Sequence, residues 1–282
     1  VAHCHFHPIL VTLHVMTPSI TSTDLWVNHP QGRIFARRWQ QPGADPAGCP
    51  IVMFHDSLGS VGLWRDFPAA LSGATGRAVI AYDRLGFGQS DPRQSRPSLD
   101  FVAEEAALYF PALRDQLGLD RFVAMGHSVG GGMAIEVAAN FAPHCEALVT
   151  IAAQVYPEER TLQGIRAARE QFLDAQQVER LARYHGDKTR WVLDAWIDNW
   201  LHPDFAAWTL ADVLPRVRCP VLTIHGELDE YGSTHHPNLI AELSGGPVHQ
   251  EILPGMAHVP HREQPERITA MVAEILREVP GN

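Results

Sequence analysis

Four short runs, Ile51-Val52-Met53-Phe54, Ala78-Val79-Ile80-Ala81-Tyr82, Arg121-Phe122-Val123-Ala124-Met125 and Ala147-Leu148-Val149-Thr150-Ile151, are apolar at nearly every position and bounded by turn residues. A strand that is apolar throughout, rather than at alternate positions, is one buried on both faces, and such strands separated by helical patterns signal βαβ units around a parallel sheet. The helical patterns fall at Leu63–Ser72, Ser98–Leu117 and Val129–Phe141. Upstream, Leu25-Trp26-Val27 and Ile34-Phe35-Ala36-Arg37-Arg38-Trp39 flank the turn Pro30-Gln31-Gly32 and read as an antiparallel hairpin. The alternation breaks over Tyr156–Trp208, where helical periodicity runs without a strand signal. It resumes at Pro220-Val221-Leu222-Thr223-Ile224 and Gln250–Leu253. The predicted class is α/β: a mostly parallel, doubly wound sheet with an N-terminal antiparallel hairpin and a helical cap insertion. The expected division is a poorly ordered extension over 1–23, a core over 24–154 and 209–282, and a cap over 155–208.

The chain has 282 residues, 45% hydrophobic and 19% charged, enough to bury a substantial core. Its formal net charge of −10, with Lys188 the only lysine and arginines scattered, repels polyanions, so nucleic acid is not an expected partner. No uninterrupted apolar run reaches the length of a membrane span. The segment Val1–Ile20 lacks a basic leader, so export is not expected. Cys4, Cys49, Cys145 and Cys219 are widely spaced without a C-x-x-C pair, which fits a reducing cytoplasm. His3-Cys4-His5-Phe6-His7 contains metal-ligand types, but one-residue spacing matches no structural zinc pattern, so neither metal nor cofactor is expected. The expected partners are a small-molecule substrate and, at most, a second copy of the chain in a homodimer.

Gly126-His127-Ser128-Val129-Gly130 directly follows the strand ending at Met125 and directly precedes an apolar helix. A G-x-S-x-G pattern is weak alone and gains force at a strand-to-helix junction, where a sharp turn exposes the serine hydroxyl at the carboxyl end of the sheet. Glycines two residues to either side remove side chains that would collide in so tight a turn. A serine hydroxyl is a poor nucleophile unless a histidine, held by a carboxylate, takes its proton. In this arrangement the chain order is serine, acid, histidine. Asp229 follows the strand Val221–Ile224, and His258 follows Gln250–Leu253, so Ser128, Asp229 and His258 form the candidate catalytic triad. His261 rivals His258, and Glu227 and Glu230 rival Asp229.

Acyl chemistry also needs two backbone N–H donors for a developing oxyanion. Val129, the residue after the nucleophile, supplies one; the loop after Phe54 supplies the other, with Ser57 the candidate or else merely a turn residue. On the insertion, Leu193, Trp196, Ile197 and Trp200 share a helical stripe that either packs against the core or lines an apolar pocket. The candidate pocket residues are His127, Trp64, Trp196 and Trp200.

Together these residues resemble the α/β-hydrolase superfamily, specifically its small, cofactor-free members with a helical cap. The resemblance runs from about Asp24 to the C-terminus. It rests on His55 with Trp64, the turn Tyr82-Asp83-Arg84-Leu85-Gly86-Phe87-Gly88-Gln89-Ser90, the segment around Ser128, the Asp229 loop and Gly255–His258. It implies a serine hydrolase of the carboxylesterase or lactonase type. The alternatives to that reading are carbon–carbon bond hydrolysis of ring-cleavage products or perhydrolysis by the same triad and, against the intact triad, a ligand-binding receptor on the same scaffold. One departure is His55-Asp56 where the family usually has His-Gly; Asp56-Ser57-Leu58-Gly59 looks somewhat like the corresponding loop of enol-lactonases. A carboxylate pointing at an oxyanion would oppose it, so Asp56 is expected to point away or to hydrogen-bond backbone donors.

Overall fold

A computed structural model describes residues 19–44 and 49–278. The segment His3–His7 and Cys4 lie outside the described residues. Eight strands form one sheet: β1 Thr21–Val27, β2 Ile34–Gln40, β3 Ile51–Phe54, β4 Val79–Tyr82, β5 Phe122–His127, β6 Cys145–Ile151, β7 Val221–Gly226 and β8 Val248–Leu253. Their order is β1-β2-β4-β3-β5-β6-β7-β8. The hairpin β1–β2 is antiparallel and β2 joins β4 antiparallel; every other pairing is parallel. β1 begins at Thr21, inside the segment expected to be an extension, because Thr21 to Thr23 pair with Gln40 to Arg38 as an exposed edge that carries no hydrophobic signal.

The helices are α1 Phe67–Thr75, α2 Phe101–Glu104, α3 Phe110–Leu117, α4 Val129–Asn140, α5 Glu159–Gln171, α6 Ala175–His185, α7 Thr189–Trp200, α8 His235–Leu243, α9 Pro260–Glu263 and α10 Pro265–Glu278. The continuous runs do bury both faces. In β3, Ile51 and Met53 join a core with Leu71 of α1 and Val272 of α10, whereas Val52 and Phe54 join the opposite core with Met133 of α4 and Phe110 of α3. The helix expected from Leu63 starts instead at Phe67. Val61–Trp64 is a short 3₁₀ turn ended by Arg65 at φ 53°, and Pro68 lies in the first turn of α1. The helix expected over Ser98–Leu117 contains a π turn, Glu105–Tyr109, between α2 and α3. Pro111 has no N–H to donate, and the wider turn carries the chain past it.

Helices α5, α6 and α7 fill the interval between β6 and β7. Two sets of bonds seat them. At one end Ser233 N–H and Oγ bond the Glu158 carboxylate, Arg160 Nη1 donates to Asp229 O at 2.9 Å, and Thr161 Oγ1 donates to Tyr231 O at 2.6 Å. At the other, Lys188 Nζ donates to Gly88 O and Ser90 O at 2.7 and 2.8 Å, and His185 accepts from Gly88 N–H at 2.9 Å. Among the described residues no helix is long and apolar enough to cross a membrane.

Candidate active site

Parallel register sets where the functional loops emerge. Phe54 pairs with Gly126, His127 with Ile151, Ile151 with Ile224, and Gly226 with Leu253, so the loops after β3, β5, β6, β7 and β8 leave the sheet at one end. Ser128 stands at the first of the sharp turns, with φ 57° and ψ −128°. Its two glycines are required by close backbone approach: a Cβ on Gly126 would lie 2.0 Å from Gly130 O, and one on Gly130 would lie 2.2 Å from Phe54 O. The N–H of Ser128 bonds Ile151 O at 2.9 Å, which locks the strained residue to the neighbouring strand.

The hydroxyl of Ser128 lies 3.0 Å from His258 Nε2, and His258 Nδ1 lies 2.8 and 2.9 Å from the two carboxylate oxygens of Asp229. A carboxylate only accepts, so Nδ1 carries the ring proton and Nε2 keeps its lone pair toward the serine. Asp229 is fully buried and receives N–H bonds from Tyr231 and Gly232 at 2.7 and 3.1 Å. Burial alone would raise its pKa; the His258 bond, the nearby His225 ring and the Tyr231 N–H outweigh it, and the carboxyl titrates below its ordinary value. The rivals are directed elsewhere. Glu227 accepts from Gly255 N–H and Glu230 from His258 N–H, while His261 is buried against Trp64 and Phe67.

Val129 is the first residue of α4 and is fully buried; its N–H is one of the donors that a helix start leaves without an intrahelical partner. Ser57 lines the same cleft as Ser128. Asp56 hydrogen-bonds a backbone donor, Leu58 N–H at 2.9 Å, and its second oxygen faces His127 Nδ1 at 3.3 Å.

The cleft has a volume of about 310 Å³, the small end of the range for ligand sites. Its lining includes the polar Ser128, His127, His258 and Asp56 and the apolar Leu58, Ile165, Trp196 and Trp200, the last three carried by the inserted helices α5 and α7. The tryptophan stripe therefore divides: Leu193 is buried in packing, and Trp196 and Trp200 face the cleft. Trp64 does not line it. The 3₁₀ turn rotates its indole inward, where it packs on Phe67 and His261 behind His127, so the expectation that Trp64 is a pocket residue is corrected. Residues that no sequence signal marked also reach the cleft: Gln154, Thr161, Tyr231 and Arg262. Gln154 Oε1 accepts from Ser128 Oγ at 3.1 Å. Among the described residues no group of three or more His, Cys, Asp and Glu side chains is placed to hold a metal ion.

A family model described as alpha/beta hydrolase fold matches residues 50–196, a span that includes Ser128 and ends before Asp229 and His258. Among curated proteins, 1-acylglycerol-3-phosphate O-acyltransferase ABHD5 of Homo sapiens is 34% identical over 117 residues, which cover 40% of this chain and 32% of the relative. The match thus spans about a third of that relative's length. Among solved structures, the 2-hydroxy-6-oxo-6-phenylhexa-2,4-dienoate hydrolase of Rhodococcus sp. strain RHA1 superposes with a TM-score of 0.72 at 16% identity, covering 91% of this chain and 100% of that one. The enol-lactonase of Burkholderia xenovorans LB400 does so with 0.68 at 19% identity, covering 90% and 100%. At such identities the likeness is one of fold.

Proposed function

Because this chain belongs to the α/β-hydrolase fold family, we propose that it is a serine hydrolase that cleaves a small ester or lactone with an apolar or aromatic part. The observation that carries this reading is the imidazole of His258, held at Nδ1 by a buried carboxylate and offering Nε2 to Ser128 Oγ at 3.0 Å. In the first half-reaction Nε2 takes the hydroxyl proton as Oγ attacks the carbonyl carbon, and Asp229 stabilises the imidazolium that forms. The N–H groups of Val129 and Ser57 receive the oxyanion, helped by the positive end of the α4 dipole. His258 then protonates the leaving oxygen, and water repeats the sequence on the acyl-enzyme. The apolar lining supplied by Ile165, Trp196 and Trp200 suits a hydrophobic or aromatic group.

The test compares wild type with Ser128→Ala on 4-nitrophenyl acetate, phenyl acetate and dihydrocoumarin, with a vinylogous 1,5-diketone added as a carbon–carbon substrate. The variant should lose on the order of 10⁴-fold or more in kcat. A fluorophosphonate should add its mass to Ser128 of the wild type. Normal ester turnover by Ser128→Ala would rule out the mechanism, and preference for the diketone would replace the ester assignment.

A further inference from the structure

Ser128 Oγ faces two acceptors. His258 Nε2 is 3.0 Å away and Gln154 Oε1 is 3.1 Å away, yet the hydroxyl has a single proton to give. Gln154 is 2% exposed and still borders the cleft. It reaches the nucleophile through Ala152, whose φ of 49° lies in the left-handed region that side chains avoid. Ala152 N–H bonds Ile224 O at 2.8 Å, so this strained turn is anchored to β7 as Ser128 is anchored to β6. Two adjacent strands therefore end in strained non-glycine residues, and the outcome of the second is an amide oxygen directed at the nucleophile.

In acylation the proton goes to His258, and Gln154 loses its donor once Oγ is esterified. Both acceptors lie near 3 Å from one atom, so they stand at most about 6 Å apart, a span that one water bridges with two ordinary hydrogen bonds. A water there gives one hydrogen to His258 Nε2, the base, and the other to Gln154 Oε1, which leaves its lone pairs for the acyl carbon on Oγ.

We propose that Gln154 is a catalytic residue of deacylation: its side-chain oxygen holds the water that hydrolyses the acyl-enzyme. This rests on the serine-hydrolase reading of Ser128. The water's O–H breaks as its proton passes to His258 Nε2 and its oxygen bonds the acyl carbon. The tetrahedral intermediate then expels Ser128 Oγ, which recovers that proton, and the carboxylic acid leaves. The amide accepts a hydrogen bond without competing as a base and without adding charge beside the oxyanion.

The experiment is rapid-quench kinetics with 4-nitrophenyl acetate, following nitrophenolate release and the acetylated fraction of Ser128 by intact mass. In Gln154→Leu the acylation rate should stay within about 3-fold of wild type while deacylation slows at least about 10-fold, so acetyl-enzyme accumulates toward one per site. Gln154→Glu, which keeps an acceptor oxygen, should deacylate faster than Gln154→Leu. Unchanged deacylation in Gln154→Leu overturns the proposal, as does an equal fall of both half-reactions in a variant that a fluorophosphonate labels at the wild-type rate. Should Gln154→Leu not fold, Gln154→Asn carries the test, because withdrawing the oxygen by one methylene must slow deacylation selectively. Failure of the fluorophosphonate to label wild-type Ser128 would instead sink the hydrolase reading itself, and this proposal with it.

Discussion

Asp56 Oδ2 lies 3.3 Å from Nδ1 of His127 while Asp56 Oδ1 accepts from Leu58 N–H, so one carboxylate ties the loop after β3 to the residue that precedes Ser128. Burial works against its charge, but the His127 bond and the positive neighbours, Arg262 among them, hold its pKa well below the usual carboxylate range. The carboxylate is thus committed to groups that shape the loop after β3, the loop proposed to supply an oxyanion donor. Asp56→Ala should lower kcat/KM for 4-nitrophenyl acetate by about 10-fold or more by releasing that loop. Asp56→Asn, which still offers Oδ1 to Leu58, should retain more. Steady-state kinetics decide, and equal activity of the alanine variant and wild type would show that the loop holds its shape without Asp56.

The turn that carries Ser128 has no room for a methyl at either glycine. Gly126→Ala and Gly130→Ala each force a Cβ against backbone oxygen, so each should destabilise the fold by about 3 kcal/mol or more in urea denaturation. Gly73 in α1 is the control: a Cβ there meets nothing within 4 Å, and its φ is not positive. Gly73→Ala should therefore stabilise by about 0.5–1 kcal/mol. A similar urea midpoint for all three variants would contradict the packing argument.

His185 joins α6 to two loops of the core: its Nδ1 accepts from Gly88 N–H and its Nε2 donates to Leu58 O, both at 2.9 Å. It is buried, so His185→Leu strands an N–H and a carbonyl away from water. The expected loss is about 2–4 kcal/mol in urea denaturation. Because Leu58 adjoins Ser57, kcat should fall as well, beyond any change in KM. Wild-type stability and kcat in this variant would remove His185 as a link between the inserted helices and the loop after β3.

Five buried histidines, His55, His185, His225, His236 and His261, have pKa values lowered first of all by burial, His236 to about 4. Between the ordinary value of 6.5 and these lowered values, the unfolded chain binds protons that the folded chain does not. Stability is therefore greatest above pH 6.5 and falls as the pH drops toward 4, by up to about 1.4 kcal/mol per pH unit for each such histidine. Urea midpoints at pH 7.5, 6.0 and 5.0 should decline in that order. A midpoint constant from pH 7.5 to 5.0 would mean that these rings are free to protonate in the folded protein.

Much of the framework was legible in the sequence because its signals are local. Ile51–Phe54 and Phe122–Met125 are apolar on consecutive residues, which only a strand covered on both faces tolerates, and a strand, Gly-x-Ser-x-Gly and an apolar helix specify a turn within ten residues. Asp229 and His258 were readable as the residues that follow two later strands. Other features depend on which way a side chain turns once distant segments meet. Trp64 is drawn inward by Phe67 and His261, and nothing near it in the chain distinguishes that from facing the cleft. Gln154 gives no signal at all: its oxygen reaches Ser128 because β5 and β6 run parallel in register and Ala152 adopts a strained turn. Periodicity and turn chemistry determine elements and loop ends by themselves. The partners of an individual polar atom at the sheet's carboxyl end are decided only by tertiary structure, since strand register and backbone turns fix distances of a few ångströms between residues far apart in the chain.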